Sequence, residues 1–381
     1  MLRSKHVDFE QFEHINFRLP GPTPLPPTVR KALARPAIHH RGPLLKSIMH
    51  SVTRRLKEIH RTEGEVLIWP GSGSAGWEIA VTNLLSPGDE VIVTICGDFG
   101  ERLARAARKL GLNVSRVEQP WGQPVLPEHL SEVLDHTPDA KAVFITHNET
   151  STGVVNPLLE LAQVARDAGC LVIVDAVSSA SAMPLEVDAW QLDFVISGSQ
   201  KAWMCPPGLV ICAVGDRCLP AYERSSYRRF FWDIAAARTS LHDGMTPTTP
   251  PLPLILALDA ALDLMMAEGI GEIWNRHARI GALARSHIKA AGLSLFANPG
   301  YASDTLTAIT MPEGWSSRTL IDHLIEHENV MLQGGQGAYT DSVLRIGHMG
   351  WVTEADLSEA VDALERGVAS LGMPVATPAT G

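Results

Sequence analysis

The spacing of apolar and polar positions changes character twice along this chain. Residues 1–45 show no regular period and are rich in proline, with Leu19-Pro20-Gly21-Pro22-Thr23-Pro24 at the centre. That composition predicts an extended segment with one short helix at 28–34. A longer helix is expected at 44–62. From 66 to 214 short apolar runs alternate with amphipathic stretches. The runs at 66–69, 90–95, 113–116, 142–146, 171–174, 194–197 and 209–213 read as seven strands. Helical spacing fills segments between them, as at 100–110 and 158–168. Nearly continuous apolar strands separated by helices indicate an α/β fold around a mostly parallel sheet covered on both faces.

The last third reads differently. A long apolar helix at 252–268 is followed by another at 270–291. Then come a strand at 305–310, a helix at 317–328, short runs at 330–332 and 343–346, and a final helix starting near Thr353. Its Thr353-Glu354-Ala355-Asp356 opening looks like an N-cap with acidic first-turn residues. This order predicts a smaller α+β domain. The expected division is an N-terminal segment 1–45 lining the active site, a large α/β domain 46–265 and a small domain 266–381.

With 381 residues the chain is long enough for about two domains. A formal charge of -10 and the lack of a Lys/Arg run argue against nucleic acid as a partner. No apolar stretch approaches the roughly 20 residues needed to cross a bilayer, so no membrane association is expected. Residues 1–12 are mixed and charged, unlike a secretory signal. The five cysteines lack CxxC spacing, which suits reduced thiols in a cytoplasm. The histidines at 39, 40, 147 and 348 show no ligand spacing, so no metal is expected.

Three elements carry chemistry. Lys201 follows an apolar strand, within Ser197-Gly198-Ser199-Gln200-Lys201. An α/β enzyme places its functional groups at such strand ends, and a desolvated lysine can be tuned for Schiff-base chemistry. Asp175 terminates Leu171-Val172-Ile173-Val174-Asp175. A carboxylate there borders a low-dielectric core and needs a partner, such as a protonated pyridine nitrogen. Gly71-Ser72-Gly73-Ser74-Ala75-Gly76 lies between a strand and a helix, where small residues leave N–H groups free for one phosphate.

Together with Thr146-His147-Asn148-Glu149-Thr150-Ser151-Thr152-Gly153, Pro206-Pro207-Gly208 and Arg345-Ile346-Gly347-His348-Met349-Gly350, these elements resemble the class V aminotransferases of pyridoxal-phosphate (PLP) fold type I. The likeness is greatest to the alanine–glyoxylate and serine–glyoxylate group and covers nearly the whole chain. The resemblance implies that Lys201 is the Schiff-base lysine and Asp175 the partner of the pyridinium nitrogen. It places Val177 and Phe99 on the two ring faces and Thr150 near the phenolic oxygen. Gly73, Ser74, Ala75 and Gln200 would cradle the phosphate. Thr249 would reach the phosphate of a partner subunit, implying a homodimer with shared active sites. Arg345 would bind the substrate's α-carboxylate, with Gly21 in the loop on the substrate side. The expected reaction moves an amino group from a small amino acid to a 2-oxo acid such as glyoxylate or pyruvate. The alternatives are β-elimination or decarboxylating deamination. The run Arg228-Arg229-Phe230-Phe231-Trp232 departs from the family pattern, and reads as a surface loop with buried aromatics, or as a lid or a recognition site for a larger anionic substrate.

Overall fold

The computed structural model describes residues 14–375. The expectations for residues 1–12 concern positions outside that range. All seven anticipated runs form one sheet. In chain order the strands are β1 (Glu65–Gly71), β2 (Glu90–Ile95), β3 (Asn113–Glu118), β4 (Ala142–Thr146), β5 (Leu171–Asp175), β6 (Phe194–Gly198) and β7 (Gly208–Val214). Their spatial order is β1-β7-β6-β5-β4-β2-β3. Strand β7 runs antiparallel to both of its neighbours, and the remaining pairs are parallel. Strands β4, β5 and β6 are buried along their whole length, which explains their continuous apolar runs.

Helices cover this sheet. The apolar helix Leu252–Glu268 buries Ile255, Leu258 and Leu262 in the core of the large sheet and packs against the helices Pro27–Leu33 and Pro43–His60. It is therefore a core element of the large domain. Buried Arg55 ties it down, with Asp259 at 2.5 Å and Asp263 at 2.7 Å.

A second sheet contains β8 (Ser294–Leu295), β9 (Leu306–Thr310), β10 (Gln333–Gly334) and β11 (Val343–Gly347), all antiparallel in the order β8-β9-β11-β10. Helices Ile270–Ala290, Ser317–His327 and Glu354–Ser370 enclose a separate apolar core with it. The final helix carries the capping box anticipated at Thr353 and Asp356. Helix Ile270–Ala290 contributes Ile273 to the first core and Ile280, Ala284 and Ile288 to the second.

Three helices lay outside the sequence expectation: Pro127–Asp135, Cys218–Arg224 and Ile234–His242. Each has nine residues or fewer, too few for a clear period. Between the last two lies the Arg228–Trp232 run. Arg229 anchors it by stacking on Tyr222, 3.9 Å from the ring centroid, while Phe230 is 87% exposed.

Candidate active site

Parallel strands deliver their carboxyl ends to one edge of a sheet. Here β1, β2, β4, β5 and β6 lead at that edge into Gly73, Phe99, Thr150, Val177 and Lys201 respectively. Strands β4, β5 and β6 are direct neighbours, with Thr146 opposite Asp175 and Asp175 opposite Ile196.

Lys201 is buried and its Nζ donates to the carbonyl oxygen of Pro20. The N-terminal segment reaches it from beside the second sheet. Residues 16–17 pair with Val330–Met331, and Arg18 accepts a bond from the Gly347 N–H. Gly21 then passes at φ +118°, where any Cβ would stand 2.6 Å from Lys201 Cδ. Only glycine fits that conformation and that contact. Thr23 completes the wrap by donating to the Lys201 carbonyl at 2.9 Å. Burial, with Arg345 nearby, pushes the Lys201 amine down to about 8 against the attraction of Asp175 and Glu149.

Asp175 is also buried, and burial raises its carboxyl above the ordinary range. Two donors oppose that shift: the Val177 N–H at 3.0 Å and the indole Nε1 of Trp77 at 2.8 Å. Trp77 packs into the core of the large sheet. It is buried, and it also orients the carboxylate. A lone Trp gives no sequence signal for such a role, because the contact spans 98 residues. Each carboxylate oxygen retains lone-pair capacity for a further donor.

The helix Gly73–Leu84 begins at this edge. Ala75 N–H bonds to the Ser72 carbonyl, whereas among the described residues no carbonyl accepts from Gly73 or Ser74 N–H. The helix start approaches the strands closely because glycines face them. A Cβ on Gly73 would lie 2.5 Å from Val177 Cγ2, and one on Gly76 would lie 2.2 Å from Ile196 Cγ2. Gln200 adjoins the same point, its buried Oε1 without a hydrogen-bond partner. Its amide can turn N–H groups toward an anion. Val177 and Phe99 are half-buried, as groups flanking a ligand would be.

Thr150 and Arg345 are joined. Thr150 Oγ1 donates to Ser178 Oγ at 2.7 Å, and its carbonyl accepts from Arg345 Nη1 at 3.0 Å. Arg345 lies on β11 of the second sheet and is 4% exposed. Burial lowers its guanidinium to about 10, against the charges of Glu149 and Asp98. Glu149 is a positioning group that sequence reasoning passed over. Its carboxylate accepts from Phe99 N–H and Gly100 N–H at 3.1 Å and from Ser151 Oγ at 2.6 Å. It thereby anchors the helix that presents Phe99.

Some residues stay apart. Thr249 lies on an exposed turn, and among the described residues no hydrogen bond links it to this site. Trp203 stacks on His60 in the core at 5.3 Å rather than bordering the site. Cys205 is buried and its thiol is pushed up to about 12, so it is inert. His348 bonds Thr307 at 2.9 Å, and burial holds it near 3.

These features fit PLP. There is a buried amine of lowered basicity, a buried carboxylate with spare lone pairs, and a helix N-terminus with free N–H groups beside an unpartnered amide. Comparison with known proteins agrees. The family model "Aminotransferase class-V" matches residues 28–358. The chain is 39% identical over 95% of its length to a Synechococcus protein called "Soluble hydrogenase, small subunit", also covering 95% of that protein. It is 36% identical to the L-aspartate–glyoxylate aminotransferase of Paracoccus denitrificans, covering 94% of this chain and 92% of that one. The solved alanine–glyoxylate aminotransferase of Nostoc sp. superposes with a TM-score of 0.89 at 28% identity, over 93% of this chain and 95% of its own. The chain belongs to the class V aminotransferase family and is a PLP-dependent enzyme.

Proposed function

We propose that this enzyme moves the amino group of a small amino acid, such as alanine or serine, to a 2-oxo acid such as glyoxylate or pyruvate. The observation that carries this is the burial of Lys201, Asp175 and Arg345 together, with Asp175 and Lys201 at the ends of adjacent strands and both Asp175 and Arg345 acting on the basicity of the lysine. Glyoxylate aminotransferases among the relatives support the choice of acceptor.

Lys201 would hold the cofactor through Nζ, Asp175 would hold a protonated ring nitrogen, and Gly73, Ser74, Ala75 and Gln200 the phosphate. Bound there, PLP supplies an electron sink for negative charge developing at the substrate Cα. Arg345 binds the α-carboxylate and so fixes which Cα bond faces Lys201. The Lys201 amine would take the Cα proton as general base. An amine near pH 8 is unprotonated in a useful fraction at neutral pH, which an ordinary lysine is not. The Pro20–Gly21 loop packs directly on the Lys201 side chain and shields it from water.

Thr249 supports an assembly in which two copies share their sites. It is exposed in one copy, as expected of a residue that completes the phosphate site of another. Five unpaired, buried cysteines suit a cytoplasmic location; no described helix is long and apolar enough to cross a membrane.

The test is a half-reaction. PLP-loaded enzyme mixed with alanine, serine or aspartate should yield one oxo acid per site and lose its visible cofactor band. Glyoxylate should restore that band. Lys201→Ala should lower turnover by about 100-fold or more. Continuous release of ammonia or carbon dioxide without an oxo acid acceptor would instead show elimination or decarboxylation.

A further inference from the structure

Arg345 is almost fully engaged before any substrate arrives. Its Nε and Nη2 both donate to the Gly334 carbonyl, at 2.9 and 2.7 Å. Its Nη1 donates to the Thr150 carbonyl at 3.0 Å and to Gln336 Oε1 at 3.2 Å. A guanidinium has five N–H donors, so one remains. A carboxylate held in the bidentate manner needs two. One present partner must therefore yield.

The partners differ in how easily they can. Gly334 belongs to β10, paired with β11 at Leu344. Thr150 lies in the turn between two short strands, Asn148–Glu149 and Val154–Val155. Moving the Gly334 carbonyl would break a ladder pair, and moving the Thr150 carbonyl would disturb the turn that joins the two short strands. Gln336 engages through a side chain that is only half-buried. Its own backbone is fixed. Gly335 N–H bonds the Val343 carbonyl at 2.7 Å, and Tyr339 N–H bonds the Gln336 carbonyl at 2.9 Å. Tyr339 in turn stacks on Trp121 at 5.2 Å and meets Phe296 edge-on at 5.0 Å. The loop stays in place while the side chain is free to rotate.

We propose that the Gln336 amide is an internal stand-in for the substrate carboxylate: it satisfies Arg345 in the free enzyme and is displaced when an amino or oxo acid binds. This rests on the reading that Arg345 receives the carboxylate. The amide prevents a desolvated cation from standing with two open donors, which would be unfavourable at 4% exposure. It also raises the apparent KM, because only the fraction of enzyme with Gln336 turned away can bind. Gln336 is thus a specificity-determining residue. It discriminates against ligands whose acid group is too weak an acceptor to replace an amide.

The experiment compares PLP-loaded wild type with Gln336→Leu and Gln336→Ala, both of which lack the acceptor. The expected result is a KM for alanine or serine lower by roughly three- to tenfold with kcat little changed. Acetate, a carboxylate without an amine, should inhibit more strongly by the same factor. Its affinity for the cofactor-free protein, read by calorimetry, should rise in parallel. An unchanged KM and acetate affinity would overturn the proposal. So would a rise in KM, since Gln336 would then be helping to hold the carboxylate. Arg345→Lys separates the two levels. If it leaves KM and acetate affinity as in the wild type, the assignment of Arg345 fails and the proposal with it. If it weakens both while the Gln336 variants behave as wild type, only the role of Gln336 fails.

Discussion

Lys201 and Asp175 owe their chemistry to where they are buried. A lysine in water holds its proton to about 10.5, whereas this one is pushed to about 8. The sign of the stability effect follows by linkage. Below about pH 8 both folded and unfolded chains carry the proton, so the full burial penalty applies. Between about 8 and 10.5 the folded chain has lost it and the unfolded chain has not, so stability rises with pH. Cofactor-free Lys201→Met should therefore be more stable than wild type at pH 7, by about 3 kcal/mol. The difference should shrink toward pH 10.5 in chemical denaturation. A gap independent of pH would mean the lysine is not desolvated. Both residues were legible in the sequence because each sits directly after an apolar run. Trp77, Glu149 and Gln336 were not. Their roles are hydrogen bonds to partners remote in sequence or on a loop whose fold is set by aromatic packing.

At the scale of elements, the site depends on how closely the helix Gly73–Leu84 approaches β5 and β6. Gly76 has no Cβ, and one would meet Ile196 Cγ2 at 2.2 Å. Gly76→Ala should be overpacked, destabilising the protein by about 1–3 kcal/mol. It should also weaken PLP binding, because the helix start carrying the phosphate N–H groups is pushed out. Adding Ile196→Ala, which removes Cγ2, the atom the new Cβ meets, should recover part of the lost PLP affinity. Thermal melting and PLP titration of the two variants check this. If Gly76→Ala melts as wild type, the helix has room that the packing denies. The strands and long helices were readable from period alone. The helices Pro127–Asp135, Cys218–Arg224 and Ile234–His242 were too short to show one, and the segments around them stabilise them instead. The Ile234–His242 helix, for example, is capped by the Asp233 side chain, which Tyr222 holds.

At the scale of the molecule, the site is assembled from three distant parts of the chain. The N-terminal segment brings Gly21, the large sheet brings Lys201 and Asp175, and the second sheet brings Arg345. The exposed position of Thr249 leads to a prediction for the assembly. Sedimentation should show a dimer, and Thr249→Ala should weaken PLP binding by roughly tenfold, the worth of one hydrogen bond to a charged group. A monomer that binds PLP at full strength, or a Thr249 variant with unchanged affinity, would remove the shared-site reading.

The sequence by itself determined the alternation of strands and helices, the parallel sheet and the small residues at the strand ends. These are local properties: a buried strand must be apolar along its length, and a helix start near an anion must be free of bulk. It also carried the motifs by which Lys201, Asp175 and Arg345 resemble a family. Tertiary structure alone decided what these groups are bonded to. The indole on Asp175, the carbonyl on Lys201 and the amide on Arg345 come from segments 98, 181 and 9 residues away in the chain. Hydrogen bonds and desolvation act through space, over a few ångströms, and no sequence period records them.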